Sequence, residues 1–202
     1  RFFCFLILLV LLLTNKLLFS DQNIGKVVVS PNKSLLQLEK TGSSIILIEN
    51  QQIENSASTT VSGLLQEFGG FSIATKGNKG TDSSYFNRGL ARKYLKVFVD
   101  GMDLSDITST QEEPTYIDNI SMNNIDNIEI LNGSQGTMYG GDAIGGVISL
   151  NSSIPKNKGF SQEHILEGGS YGTVKNSHSF KFLKKSFSLV FNLDSERSKG
   201  FN

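Results

Sequence analysis

The stretch NGSQGTMYGGDAIGGVISL, residues 132–150, decides the fold because it sets six glycines directly ahead of an apolar run. Glycine tolerates positive φ and lets one backbone pass close to another. The closing residues VISL, 147–150, are typical of a buried strand. Phosphate-binding loops are also rich in glycine, but they open a helix and carry Lys followed by Ser or Thr. That context is missing here, so the stretch predicts tight turns that lead the chain into a strand.

Upstream of this stretch, the sequence predicts short strands around one helix. The run SIILIE, from residue 44, is typical of a buried strand, and FSIATK and YLKVFVDG are further strands, with YFNRGL between them. After SIILIE, the segment VSGLLQEF predicts a helix that Thr59 or Thr60 caps and that Gly69 and Gly70 end. The order is therefore strand, helix, strand, strand. One helix face carries the apolar residues Val61, Leu64, Leu65 and Phe68.

Beyond Pro155 the helical period is lost and the sequence alternates. Phe187, Leu189, Phe191 and Leu193 lie at every second position, with mostly polar residues between them. This period is typical of a transmembrane β-barrel strand, which needs about 9–11 residues. A half-buried strand of a soluble sheet has the same pattern, so both interpretations stay open.

The first residues, RFFCFLILLVLLLTNKLLFSDQ, indicate export. The apolar run from Phe2 ends at Leu13, well short of the roughly 20 apolar residues that a spanning helix needs. We therefore predict a signal peptide over residues 1–20, with a retained anchor helix as the alternative. The only cysteine, Cys4, lies inside this segment, which argues against disulfides and cysteine-bound metals in the mature protein.

A short arm with the sequence QNIGKVVVSPNKS follows the apolar segment. The β-branched residues Val27, Val28 and Val29 favour extended backbone, and Pro31 pushes Ser30 in the same direction. We predict a mobile arm that is preset as a strand without a partner. An ordinary edge strand is the alternative.

Composition and motifs give little support to other function classes. Basic and acidic residues number 19 each, so no charge surplus draws the chain to nucleic acid. Asp100, Asp103 and Asp106 lack the alternating acids and closing Glu of a calcium loop. The only histidines, His164 and His178, lie on separate predicted strands and are interpreted as incidental. We expect no enzyme activity, no metal and no cofactor.

Taken in order, VVVS, SSYFNRGL, VFVDGMDL and IDNIEILNGSQGTMYGGDAIGGVISL resemble the plug domain of TonB-dependent outer-membrane receptors, and within that family the cobalamin transporters most closely. The resemblance covers residues 27–150. It implies an α+β fold, in which a small mixed-sheet plug with short helices precedes the first antiparallel strands of a transmembrane β-barrel. Full barrels of the family have about 22 strands. We expect at most three or four of them here, at about 10 residues each.

The resemblance also implies site residues. The TonB-binding segment would be Val27, Val28, Val29 and Ser30. Loops at 77–84 and 105–114 would contact ligand, although plain solvated turns are an equal alternative for them. The implied ligand residues are Asn78, Lys79, Asp82, Ser83, Ser84, Thr108 and Ser109. The structural motif of the plug would comprise Arg88, Gly89, Asp100, Gly101, Gly133, Tyr139, Gly140, Gly145 and Gly146.

The implied organisation is a signal peptide at 1–20, a TonB box and mobile linker at 21–40, the plug at 41–153 and barrel strands at 159–202. The implied function is energy-coupled uptake of cobalamin or an iron siderophore through the outer membrane of a Gram-negative bacterium. TonB, with its inner-membrane energising complex, would be the partner. A soluble periplasmic binding module without a barrel is the alternative. One departure stands out, because Asn132-Gly133-Ser134 replaces the Arg-Gly-Pro usual in the family.

Overall fold

The computed structural model describes residues 27–28, 36–37, 44–75, 83–105, 117–185 and 187–200. The predicted signal peptide lies outside these ranges. Within them, no helix has the length and apolar character to cross a membrane. The strands are β1 (Val27–Val28), β2 (Leu36–Gln37), β3 (Ser44–Glu49), β4 (Ser72–Thr75), β5 (Ser83–Asn87), β6 (Leu90–Ala91), β7 (Leu95–Val99), β8 (Met102–Asp103), β9 (Ile125–Asn132), β10 (Gly146–Ser152), β11 (Gly159–Gly169), β12 (Thr173–Lys184) and β13 (Phe187–Arg197). The α-helices are α1 (Asn50–Asn55), α2 (Val61–Gly69) and α3 (Gly136–Tyr139).

The centre of the fold is a five-stranded sheet in the order β3-β9-β10-β7-β8. β10 runs parallel to β7 and antiparallel to β9, so the sheet is mixed. Register places Ile46, Ile130, Ile148 and Val97 in one row across the sheet. This face and the two helices α1 and α2 form the main apolar core. The α+β fold with a mixed sheet and short helices is confirmed.

Helix α2 forms where the sequence predicts it. Thr60 is the N-cap, and its hydroxyl accepts a hydrogen bond from the Gly63 amide at 3.2 Å. Gly70 ends the helix in the left-handed conformation with φ of 71°. Val61, Leu64 and Leu65 are fully buried, and Phe68 packs against them partly buried. The amphipathic pattern thus places the helix on the sheet as expected.

Helix α1 is absent from the sequence prediction, which treats residues 50–55 as a polar connection. Its first turn is closed by a capping box in which the Glu49 side chain accepts from the Gln52 amide and the Gln52 side chain accepts from the Glu49 amide. Ile53 is its buried residue. A single apolar residue in six gives no helical period, so the pattern could not reveal this helix.

A buried carboxylate anchors the start of α2. Asp118 is 6% exposed and accepts hydrogen bonds from the amide and the hydroxyl of Ser62, both at 2.9 Å. The amide is one of the helix-terminal donors that lack a partner inside the helix. Asp118 therefore couples the turn Ile117–Asn119 to the helix start.

We expect Asp118→Ala to lower the free energy of unfolding by about 2–3 kcal/mol, since it strands two buried donors. Equilibrium denaturation in urea measures this change. Glu54→Ala, which removes an exposed carboxylate on α1, is the matched control and should change stability by less than about 0.5 kcal/mol. Equal losses in the two variants would contradict the anchoring role.

The last three strands form a separate antiparallel sheet in the order β11-β12-β13. Phe187, Leu189, Phe191 and Leu193 share one face and are each more than half exposed. Phe160, Phe180 and Phe191 form a row on this face with ring centroids 6.3 Å apart. The opposite face carries the buried Ser177 and Ser179. The predicted alternation is present, and the strand number among the described residues falls within the expected three or four.

His164 and His178, predicted to be incidental, lie directly opposite each other on β11 and β12. Their Nδ1 atoms are in contact and their ring centroids lie 4.6 Å apart. Among the described residues, no group of three or more metal-ligating side chains could hold a metal ion.

Candidate functional site

The arm is paired, which corrects the prediction of a strand without a partner. β1 forms an antiparallel ladder with β2, in which Val27 opposes Gln37 and Val28 opposes Leu36. The Val28 side chain is fully buried. Val29 and Ser30 lie outside the described residues. The prediction failed because β-branched residues specify extended backbone but do not specify which strand pairs with it.

Close backbone contact surrounds the glycine-rich stretch. At Gly146 φ is 135°, and a Cβ atom built there would lie 2.3 Å from the carbonyl oxygen of Leu131. At Gly145 a Cβ atom would lie 3.1 Å from the carbonyl oxygen of Tyr94, which accepts the Gly145 amide at 2.7 Å. The start of β10 is therefore in close backbone contact with β9 and with the segment that leads into β7.

The other glycines of the predicted motif lie in turns with open space around them. Gly133 has φ of 91° and Gly140 has φ of 97°, and neither has a heavy atom within 4 Å of an added Cβ. Between them lies α3, whose Tyr139 packs on Phe98 with ring centroids 5.1 Å apart. Gly133 and Gly140 are needed for their positive φ. Gly146 is needed both for its positive φ and for the close approach of two backbones.

Asn132, which stands where the resemblance implies arginine, is a buried acceptor. Its Oδ1 accepts from Nδ2 of Asn87 at 2.9 Å, and the same Nδ2 donates to the Gly145 carbonyl at 3.1 Å. The Asn87–Gly145 bond links the β5–β6 hairpin to the residue before β10, and the Asn87–Asn132 bond links it to the end of β9. It joins residues 45 positions apart, so no local pattern could have revealed it.

Two tight turns carry the remaining motif residues. Arg88 and Gly89 form the β5–β6 turn with φ of 50° and 83°, and both are exposed. Asp100 and Gly101 form the β7–β8 turn with φ of 49° and 82°. Positive φ at both turn positions is the geometry favoured in two-residue hairpins.

The Asp100 carboxylate also holds the end of β10. It accepts from the amide of Ser152 at 2.7 Å and from its hydroxyl at 2.6 Å. These bonds fasten the β7–β8 turn to the point where the chain leaves the central sheet. Asp100 therefore does more than the turn residue that the Asp-Gly pair indicates.

Of the predicted ligand residues, Ser83 and Ser84 lie on β5, where Ser83 is buried and Ser84 is half-buried. Asn78, Lys79, Asp82, Thr108 and Ser109 lie outside the described residues. Arg92 also contacts this region, and the sequence prediction missed it. Its Nη1 donates a hydrogen bond to the Ser83 carbonyl at 3.1 Å.

The second addition is Lys96, a buried cation on β7. Its Nζ lies 3.3 Å from Asp103 Oδ2 and 3.7 Å from Asp142 Oδ2, and it donates to Oγ of Ser105 at 2.9 Å. The Lys96 side chain is only 9% exposed. A buried ammonium needs such partners, and one of them, Asp142, lies far from Lys96 in sequence.

The pKa of the Asp103 carboxyl is lowered. Partial burial alone would raise this pKa, but hydrogen bonds from the side chain and amide of Ser105 and from Lys96 outweigh that effect. A carboxyl whose folded-state pKa is depressed stabilises the fold above its unfolded pKa, and this contribution is lost as pH falls through the folded pKa.

We therefore expect Asp103→Asn to be less stable than the native chain at neutral pH. The difference should shrink as pH falls below about 4, the ordinary range for an aspartate. It should be small, because the Asp103 side chain is 41% exposed. Urea denaturation of both proteins across acidic pH tests this, and a pH-independent difference would contradict the role of the charge.

Comparison with known proteins places this geometry in a family. The sequence profile described as "TonB-dependent Receptor Plug Domain" matches residues 37–147. The chain is 33% identical over 132 residues to the Vitamin B12 transporter BtuB of Vibrio vulnificus YJ016, which covers 65% of this chain and 21% of that protein. It is 30% identical over 124 residues to the Vitamin B12 transporter BtuB of Vibrio cholerae O395. That match covers 61% of this chain and 20% of that protein.

Solved structures share the fold. The pyoverdine outer membrane receptor FpvA of Pseudomonas aeruginosa PAO1 matches with a TM-score of 0.66 at 18% identity, over 79% of this chain and 22% of that one. The siderophore receptor PiuA of Acinetobacter baumannii matches with a TM-score of 0.61 at 19% identity, over 81% and 22%. The chain thus spans about a fifth of the length of the proteins it matches.

Proposed function

This chain belongs to the TonB-dependent receptor plug domain family, and we propose that it is the plug region of an outer-membrane transporter for cobalamin or an iron siderophore. The family match over residues 37–147 carries the proposal. The match begins shortly after the arm that contains β1. Matched relatives are named as vitamin B12 transporters and siderophore receptors, and we extend that role to this chain.

We propose the following organisation for the whole protein. Residues 1–20 are the signal peptide, 21–40 the TonB box with its linker, 41–153 the plug, and 159–202 the first barrel strands. The apolar face of β11–β13 would then meet lipid, because its exposed residues alternate with polar ones that face the plug. Two polar contacts join plug and strands, from Lys181 Nζ to Ser153 Oγ at 3.2 Å and from Asn124 Nδ2 to Asp194 Oδ2 at 3.4 Å.

Energy coupling would proceed through the arm. The outer membrane holds no ATP, so the work of release comes from the inner membrane through TonB. Ligand bound to the plug would shift the arm from its pair with β2 toward a released state, which requires different ligand affinities in the two states. TonB would then pair with the released segment Val27 to Ser30 as an added strand, so that main-chain hydrogen bonds provide the grip.

Uptake of radiolabelled cobalamin and of a ferric siderophore by cells that express the complete gene tests the proposal. We expect uptake of one ligand class in the parent strain and none in a strain without TonB. Cell fractionation should recover the protein in the outer membrane. Recovery from the soluble periplasm, with uptake unchanged by deletion of the gene, would favour a binding module without a barrel.

A further inference from the structure

A pair of histidines lies on the face of the β11–β13 sheet that is turned away from the plug. His164 and His178 oppose each other in the β11–β12 ladder, and their Nδ1 atoms are in contact. Lys181 of β12 points to the other side, where its Nζ donates to Ser153 Oγ of the plug at 3.2 Å. Because side chains alternate between the two faces of a sheet, both histidines point away from the plug, on what we call the outer face.

The outer face is not covered when a barrel closes. Further strands join a sheet at its edges, through backbone hydrogen bonds, and leave the side that is turned away from the barrel interior free. His178 lies on the middle strand of the three, with His164 opposite it on one side and Leu193 on the other. Both lateral neighbours of His178 are thus among the described residues, and its surroundings within the sheet do not depend on any further strand.

The histidines would lie near the middle of the apolar band of the proposed barrel. β13 has 11 residues, from Phe187 to Arg197. At about 3.3 Å per residue and a tilt of about 40°, such a strand rises about 25 Å, which is the height of the lipid-facing band of outer-membrane barrels. Lys184 lies beside Phe187 at one end of this band, and Arg197 lies at the other. Leu193, one position from the centre of β13, is the residue opposite His178.

At this depth the outward nitrogen of each ring needs a partner. A neutral imidazole has one N–H, so in the Nδ1 contact one ring donates and the other accepts. The donating ring then has an Nε2 that can accept, and the accepting ring has an Nε2–H that can donate. Between described residues, no hydrogen bond engages either Nε2 atom. Lipid acyl chains offer neither donor nor acceptor, and unpaired polar groups in hydrocarbon are costly.

Asn176 adds a further polar group to the same region of the outer face. It lies two residues from His178 on β12, opposite Leu166 and Ser195. Within the part of the chain that the structure describes, its side-chain amide makes no hydrogen bond. Polar side chains at membrane depth are rare and contact other protein groups or water-filled cavities. A protein surface therefore suits this part of the outer face better than lipid.

We propose that the outer face around His164, Asn176 and His178 binds a second copy of this chain within the membrane. A two-fold axis along the membrane normal sets His164 of each copy against His178 of the other. The Nε2–H of one pair then meets the accepting Nε2 of the other pair, and the same bond forms again on the other side of the axis. Identical copies thus satisfy each other without any additional group. The inference rests on the proposed transporter function, because it requires a barrel in a membrane.

Association of the complete receptor in proteoliposomes tests the proposal. Equal amounts of receptor carrying a donor or an acceptor fluorophore are reconstituted together at increasing lipid dilution, and energy transfer reports the dimer. We expect transfer that falls to the monomer baseline on dilution. His178→Leu should weaken association about tenfold, because leucine can neither donate nor accept, whereas His178→Gln should retain it because an amide does both. Val174→Leu, an apolar exchange on the outer face of the same strand, is the matched control and should leave association unchanged.

A receptor that stays monomeric at every dilution would overturn the proposed interface, as would a dimer whose association is unchanged in both His178→Leu and His164→Leu. Migration as a folded barrel in unheated electrophoresis checks each variant, and His178→Phe, which keeps a ring and removes both nitrogens, replaces any leucine variant that does not fold. A monomeric receptor with TonB-dependent uptake would overturn the interface alone. Uptake that does not depend on TonB would instead overturn the transporter function.

Discussion

Gly146→Ala is expected to destabilise the plug by about 3–5 kcal/mol. Two costs combine at this position. A Cβ would lie 2.3 Å from the Leu131 carbonyl oxygen, so strands β9 and β10 would have to separate. The φ of 135° also lies in a region that residues with a side chain rarely adopt. Unfolding in urea, compared with the native chain, measures the loss.

Two neighbouring glycines separate these costs. Gly133 has φ of 91° but open space for a Cβ, so Gly133→Ala should lose only the conformational part, about 1–2 kcal/mol. Gly141 has open space and no positive φ, so Gly141→Ala should be nearly neutral. The expected order of loss is Gly146, Gly133, Gly141. Similar losses at Gly146 and Gly133 would show that the approach of β9 and β10 is not tight.

The sequence predicts those parts of the fold that local pattern decides. Helix α2 has an N-cap, an amphipathic period and a terminating glycine, and each is found where predicted. The strand at β13 has a period of two, and its apolar residues share one face. Local pattern does not predict the strand order of the central sheet, because the parallel pairing of β10 with β7 joins segments about 50 residues apart. Such pairing depends on the whole chain.

The same distinction applies to the candidate site. The glycines and the two positive-φ turns are visible in sequence because conformation restricts the residue type. The partners of Lys96 are not visible, since Asp142 lies 46 residues away and nothing local marks it as a counter-ion. Asp100 shows both cases, because Asp-Gly predicts the turn but not the bond to Ser152. Long-range polar pairs are thus the part that pattern alone leaves out.

Val28→Pro is expected to reduce uptake to the background of cells without TonB while the receptor still binds its ligand. Proline removes the amide hydrogen that a strand pair needs and fixes φ near −65°, so the arm could not form a continuous ladder with TonB. Ligand binding should persist because, among the residues that the structure describes, β1 pairs with β2 and lies outside the central sheet. Uptake of labelled ligand by cells and binding to the purified receptor measure the two outcomes separately.

Leu36→Pro is the matched control, because Leu36 is the residue that opposes Val28 in the β1–β2 ladder. It weakens the same internal pair from the other strand and leaves the arm itself unchanged. If TonB and β2 compete for the arm, Leu36→Pro should raise capture of TonB in the absence of ligand and should retain uptake. Loss of uptake in both variants would show instead that the β1–β2 pair is needed for structure. Normal uptake by Val28→Pro would exclude the arm as the segment that TonB binds.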